Sequence, residues 1–548
     1  MDGRTWVHRE YFLMETPIKT GGTGMERGNM GGVTLAILAL FLITFITGSE
    51  ARAVSRGGTL VIGQSVEPIN VDPQEYIEDR DEEVIMMVYD NLVHFKKESG
   101  SLEFVPGLAT RWENSPDGLT WTFHLRKGVN FHDGTPFNAD AVLYYFNRAL
   151  ADPKTNKGWG LFGAIVQSAE AVDPYTVKVN MKKPHAFFLH RIAHGGAAIF
   201  SPTAHKKYGK ELAFNPEGTG PFKFQAWVRG DHLALVANPD YWGGSPLLDR
   251  VILKPVKEEV TRMLQLQAGQ IHVTMNLSAE AIPLLKKDNK LDVVTFLSNQ
   301  GIRLEMNGSK KPFDNILVRQ ALNYAVNREA LAKHLYGGLA VPIPGAVSPA
   351  IAGYAEMRGY TYNPAQAKAL LAKAGYPNGF TMTVWTTGTG LIMKDLPLCE
   401  TLQKYFAAIG VTLKIEKMEW AAIVRDSRAP MDKNRAESFL MKWPPSTGEA
   451  TWMLQASCTK AQWPPVGSNR SFYDSPVFDD LLEKATSSAD PRKRDAYLRA
   501  AQIVMNEDAP FVFLVTPVSI WGKSKKVHDM VFTPLSTCYA SEKTWMEK

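Results

Sequence analysis

The chain has 548 residues, 45% of them hydrophobic and 21% charged, and a formal net charge of +5. That length exceeds one ordinary core and predicts two or three lobes, while the average hydrophobic and charged content excludes both disorder and a polytopic membrane protein. The charge is mild for the size and no long Lys/Arg run exists, so no nucleic-acid partner is expected; Lys523-Ser524-Lys525-Lys526 reads as a solvated loop.

From the amino end, Val33 to Ile46 (VTLAILALFLITFI) is an apolar run shorter than the ~20 residues a spanning helix needs. It follows Arg27 and precedes Ala51-Arg52-Ala53, a small-x-small site for a signal peptidase. The expectation is a signal peptide cleaved near Ala53 and a secreted mature chain from about Val54; an uncleaved anchor is the alternative. No cysteine stands there to accept a lipid. Residues 1–24 form a longer polar leader than a signal sequence usually carries, which suggests a later start at Met25 or Met30.

The mature chain opens on a strand, GGTLVIGQ, followed by an apolar helix, EEVIMMVYDNL. In RWENSPDGLTWTFHLRKGVNFHDGTPFNADAV, Trp121, Phe123 and Leu125 alternate with Thr122, His124 and Arg126, the period-2 pattern of a half-buried strand. Ser115-Pro116-Asp117-Gly118 and Lys127-Gly128 supply turns, and Asn138 caps a helix whose apolar side carries Val142, Tyr145, Phe146 and Ala149. Alternating strands recur at 176–181, 220–228, 232–238 and 250–256. After about residue 305 helices with clear ends take over. Asn363-Pro364 starts one that stops at Gly375, and the strand FTMTVWTT follows; a helix from about Leu398 to Ile409 stops at Gly410 before VTLKIEKM; a helix from Asp490-Pro491 to Glu507 precedes APFVFLV. Alternation of this kind predicts an α/β lobe. With no linker between the halves, the lobes are expected to be joined by strands that cross more than once.

Catalytic constellations are missing: there is no G-x-S-x-G elbow, no H-E-x-x-H and no G-x-x-x-x-G-K-[ST]. Gly218-Thr219-Gly220 resembles the start of a dinucleotide fingerprint, but the alternating FKFQAW after it predicts a strand where phosphate binding needs a helix N-terminus. His190 and His194 are spaced to share a helical face, yet no carboxylate or cysteine accompanies them, so core or surface histidines are expected and no metal. Glu82-Glu83, Glu258-Glu259 and Asp479-Asp480 are read as solvated helix faces. Three cysteines, Cys399, Cys458 and Cys538, permit at most one bridge, and whether Cys458 and Cys538 pair is left open.

Trp112 to Phe137 matches W-x-x-S-x-D-G-x-x-x-x-F-x-L-R-x-G-V-x-F-H-D-G-x-P-F, and further stretches at 218–244, 311–331, 364–380 and 494–514 keep the same company. Together they resemble the family 5 extracellular solute-binding proteins of bacterial ABC importers. The resemblance implies an α/β, two-lobed periplasmic-binding-protein fold with mixed sheets, hinge strands and an extra auxiliary domain. In this sequence that means a leader over 1–53, a first lobe over 54–95, 198–305 and 515–548, its auxiliary domain over 96–197, and a second lobe over 306–514. It also implies a monomer that binds a small peptide-like solute and serves a permease in the inner membrane, with no cofactor and no enzymatic activity.

KWPPSTGEATWML (442–454) and AQWPPVGSNRSFYDSPVFDDLL (461–482) most resemble the glutathione-binding members. Peptide-binding members commonly carry an aspartate three residues after the tryptophan aligned with Trp443, to hold the ligand's ammonium; Ser446 stands there, and a hydroxyl cannot neutralise that charge unless Glu449 substitutes. Phe439, Met441 and Trp443 alternate on a strand that runs into a turn containing Ser446, Thr447 and Glu449, a rigid aromatic beside adaptable hydroxyls. Arg303, in NQGIRLEMN, is a fork for a carboxylate or one half of a structural ion pair. Trp385 and Trp463 complete the expected contacts. The solute is glutathione or a short peptide on this reading; a nickel or haem complex, an opine, and a secreted hydrolase are the alternatives.

Overall fold

Residues 54–75, 79–97, 102–151, 161–389 and 391–548 are described in the computed structural model of the protein. The expected leader lies outside them, and residues 54–548 form a single unit.

A twelve-stranded mixed sheet organises this unit. Its order is Thr412–Lys417, Thr381–Thr386, Ser438–Trp443, Gly301–Met306, Phe511–Ser524, Val273–Thr274, Thr59–Gln64, Arg250–Pro255, His232–Ala237 and Phe222–Val228, with Leu291–Leu297 and Ala340–Pro342 also on Phe511–Ser524. The carboxy-terminal strand, expected to end near residue 515, continues to Ser524. It pairs first with Gly301–Met306 and Ala340–Pro342 and then with Leu291–Leu297 and Val273–Thr274. Pro517 stands at the changeover, where a residue lacking an N–H is tolerated.

Gly301–Met306 is buried along its whole length. Ile302, Leu304 and Met306 join Leu440, Val512 and Leu514 in one core with Leu322, Leu371 and Leu402. On the opposite face, Phe511 and Phe513 pack with Met453, Leu454, Phe478, Leu498 and Met505. A separate core gathers Leu60, Met87, Phe123, Tyr145 and Phe222, and a smaller one packs Leu266, Leu285 and Ile520.

The alternating segment forms the expected antiparallel sheet, of order Ala109–Asn114, Thr120–Leu125, Thr176–Met181, Val166–Asp173. Its helix, Ala139–Ala151, buries Val142, Tyr145, Phe146 and Ala149, and the Asn138 side chain accepts from the Asp140 amide at 3.0 Å. Asn363, Ser475 and Asp490 likewise cap helices that begin with proline.

Three local expectations are corrected. The helix read across Glu82–Leu92 spans Asp79–Val88 and lies within the core, so Glu82 and Glu83 are buried and not solvated. Glu82 accepts from the Gly195 amide at 3.1 Å, and Glu83 accepts from Gln64 at 2.6 Å and from the Cys538 amide at 3.2 Å. His190 and His194 do not share a helical face, because the helix is only Phe188–Ile192. His190 packs edge-on against Phe104, and His194 accepts from the Gly196 amide. All three cysteines are buried free thiols.

Gly218 and Gly220 have a packing reason. A Cβ at either position would collide with the Met87–Val88 backbone where the Asp79–Val88 helix ends. Thr219 between them donates to Asp90 at 2.9 Å, and His94, Tyr241 and Trp242 bond the same carboxylate.

Candidate solute site

Antiparallel pairing sets Arg303 opposite Met441, Glu305 opposite Phe439 and Gly301 opposite Trp443. On the other side Arg303 faces Phe513 and Glu305 faces Phe511. Because side chains alternate along a strand, this puts two charged groups among the aromatic side chains on the face turned away from the Ile302–Leu304 core.

Arg303 is 1% exposed. Its Nε and Nη2 donate to Glu305 Oε1 at 3.0 and 2.8 Å, and the guanidinium lies 4.1 Å from the Phe511 ring centroid and 6.0 Å from that of Trp443. Arg303 Nη1 and Glu305 Oε2 have no protein partner. Arg470, 4% exposed, approaches the same face from the loop after the Lys460–Gln462 turn. Its Nη1 is 3.9 Å from Met441 Sδ, its guanidinium is 6.0 Å from the Phe439 ring centroid, and its Nε is unpartnered. Burial, the largest influence, lowers the Arg470 guanidinium to about 10, with Glu305 opposing the fall and Arg428 and Arg303 adding to it. Cys458 lies close enough to feel Arg303; burial pushes its thiol up to about 11 and Arg303 pulls it back. Two guanidiniums and one carboxylate thus sit buried together with a net positive charge and three unsatisfied polar atoms, a costly arrangement that sites for charged ligands use.

At the end of Ser438–Trp443 the chain turns through Ser446, half-buried, to Thr447 and Glu449, both fully buried. Glu449 is the N-cap of the Ala450–Cys458 helix. Its Oε1 accepts from the Trp452 amide at 3.0 Å and from Thr447 Oγ1 at 3.4 Å, and its Oε2 accepts from the amide and hydroxyl of Thr451. These bonds occupy the carboxylate, so Glu449 anchors the turn and offers no open acceptor. Gly448, at φ +73°, fits against Leu535 and Leu102, and Asn299 Nδ2 reaches the Pro445 carbonyl at 3.5 Å. Arg191, 2% exposed, stacks 4.9 Å from the Trp452 ring centroid and donates to Gln455 at 3.3 Å. Segments from distant parts of the chain therefore converge on this turn.

Trp385 is buried with Ile423, Ala436, Phe439 and Met441, next to Trp443, and its Nε1 donates to Glu416 at 2.9 Å. Trp463 packs on Phe472 and donates to the Tyr473 carbonyl at 2.9 Å. It braces the loop that delivers Arg470. The structure thus groups Arg303, Trp385 and Trp443 on one sheet face, puts Ser446, Thr447 and Glu449 at its edge, and leaves Trp463 behind the loop. A cavity of about 390 Å³ lies between Phe187, His190, Tyr354, Arg494 and Leu498; its Ala352 wall pairs with Glu449. Glu305 and Arg470 escaped the sequence reading. The i,i+2 spacing of Arg303 and Glu305 on a strand was the available signal for one; a loop arginine without periodicity offers none for the other.

A sheet threaded through both halves and a buried charged aromatic face beside a convergent turn define a two-lobed solute-binding protein. The model of the bacterial extracellular solute-binding proteins, family 5 Middle, matches residues 103–465. Glutathione-binding protein GsiB of Pectobacterium atrosepticum is 34% identical over 467 residues, covering 85% of this chain and 90% of that protein. GsiB of Escherichia coli (strain K12) is 33% identical over 494 residues, covering 90% and 94%. Among solved structures, the ABC transporter-associated periplasmic binding protein DppA from Helicobacter pylori, in complex with peptide STSA, has a TM-score of 0.78 at 32% identity, covering 90% of this chain and 99% of that one. The chain belongs to the bacterial extracellular solute-binding proteins of family 5.

Proposed function

We propose that the protein captures a peptide-like solute, glutathione or a short peptide, between its lobes and hands it to the inner-membrane permease of an ABC importer. The observation that carries the reading is the buried Arg303–Glu305 pair beneath Trp443, whose free Nη1 and Oε2 suit a small charged molecule. Arg303 and Trp443 contact the solute, Ser446 and Thr447 add hydrogen bonds from the turn, and Trp385 backs the pocket. The names of the GsiB relatives support glutathione as the first solute to test.

On this reading the first lobe takes 54–95, 198–305 and 515–548, with 96–197 as its auxiliary domain, and the second takes 306–514. The edges at 305 and 514 fall inside Gly301–Met306 and Phe511–Ser524, strands suited to a hinge. The leader through Ala53 is removed on export, and the mature monomer works in the periplasm without catalysing a reaction. A solute that contacts both lobes stabilises the closed arrangement by its differential affinity for it, so binding becomes a shape the permease can read.

Thermal unfolding of the purified protein with reduced and oxidised glutathione, di- to pentapeptides and Ni²⁺ tests this reading. Ligand at ~100 times its dissociation constant adds about 2.7 kcal/mol. A shift with glutathione that is lost in Arg303→Met supports solute and site together. A shift with peptides alone replaces the solute, and a shift with Ni²⁺ alone overturns the peptide reading.

A further inference from the structure

Three unsatisfied atoms share this buried cluster: two donors, Arg303 Nη1 and Arg470 Nε, and one acceptor, Glu305 Oε2. Arg303 and Glu305 are two residues apart on one strand face, and Arg470 reaches that face through Met441, the residue directly opposite Arg303. Their complement is a carboxylate that accepts from two guanidiniums, beside an ammonium that donates to one carboxylate oxygen. Of the aromatic rings touching the cluster, Phe439 and Phe511 are sealed, while Trp443 is half-buried and forms its outer wall.

An ordinary peptide carries its ammonium and carboxylate at opposite ends. A chain linked through a side-chain carboxyl instead keeps both on a single carbon, as a free α-amino-acid head group. We propose that Arg303, Glu305 and Arg470 form a receptor for that head group, with Arg470 as the specificity-determining residue that selects γ-linked over α-linked peptides. The inference rests on the solute-binding reading and sharpens it. It also supplies an ammonium partner where Ser446 provides no charge and Glu449 is occupied: the free oxygen of Glu305 takes that role. Entry runs past Trp443, whose ring covers the bound head group.

The test is calorimetry with γ-Glu-Cys-Gly and its α-linked isomer Glu-Cys-Gly, identical in composition and charge. The expected result is a preference of tenfold or more for the γ isomer in the wild-type protein, reduced to threefold or less in Arg470→Gln. Arg470→Lys, which keeps the charge and loses the fork, is expected to retain binding with a weakened preference. The wild-type comparison stands even where a variant fails to fold. Equal affinity for the isomers, or an undiminished preference in a folded Arg470→Gln, overturns the head-group receptor and leaves peptide capture intact. Failure of the wild-type protein to bind either isomer or any short peptide overturns both.

Discussion

At residue scale, the Arg303–Glu305 pair is held out of water, and its loss is expected to be asymmetric. Glu305→Gln leaves two guanidiniums buried without a compensating charge and is expected to cost about 3–5 kcal/mol, whereas Glu305→Gln with Arg303→Met recovers much of that loss; urea unfolding of the two variants measures the difference. Asp90 offers a pH test. Burial alone would raise its pKa, but bonds from His94 and Trp242 and the charge of Lys97 more than offset this and hold it well below the usual carboxylate range. A carboxylate depressed in the folded state contributes stability above its unfolded value of about 4 and loses it as the pH falls. Unfolding free energy is therefore expected to decline from about pH 4 to pH 2 more steeply in the wild-type protein than in Asp90→Asn. What sequence could show at this scale depended on context. Trp443 and Arg303 stood out through strand alternation, while the burial of Arg470 comes from the packing of its loop onto Phe439 and Met441, which no local pattern encodes.

Elements were legible where their ends are chemical. Asn363 and Asp490, each followed by proline, announced helix starts that the structure reproduces, because capping is satisfied within one turn. The Ala450–Cys458 helix was less readable, since its cap is a glutamate. Glu449→Ala removes the acceptor of two amides and two hydroxyls and is expected to destabilise the protein by about 2 kcal/mol, seen as a lower urea midpoint with an unchanged slope. The buried carboxylates of Asp79–Val88 escaped the reading because their partners, Gly195 and Cys538, are remote in sequence.

For the whole molecule, long motifs spread along the chain carried the fold and the missing linker pointed to strands crossing between the halves, whereas the full length of the carboxy-terminal strand did not show. Phe511–Ser524 looked like a short terminal strand because Pro517 interrupts its apolar run, yet it serves two sets of partners. A strand continuous through both is a natural place for bending, and closure of the lobes is expected to appear as a fall in the radius of gyration when saturating glutathione is added, measured by small-angle X-ray scattering. An unchanged radius with bound solute would argue against closure as the signal.

The three free cysteines bear on how a solute-binding protein withstands a disulfide-containing solute. Oxidised glutathione exchanges with any accessible thiolate, forming a mixed disulfide and releasing one molecule of reduced glutathione, and a carrier that reacted in this way would become trapped. Burial pushes the thiols of Cys399 and Cys458 up to about 12 and about 11 and that of Cys538 well above the ordinary range, so none offers a nucleophile to the solvent. Cys458 is the informative case, since it lies beside the charged cluster. Incubation with oxidised glutathione is expected to leave the intact mass of the native protein unchanged and to add glutathione only after denaturation, as intact-mass spectrometry would show.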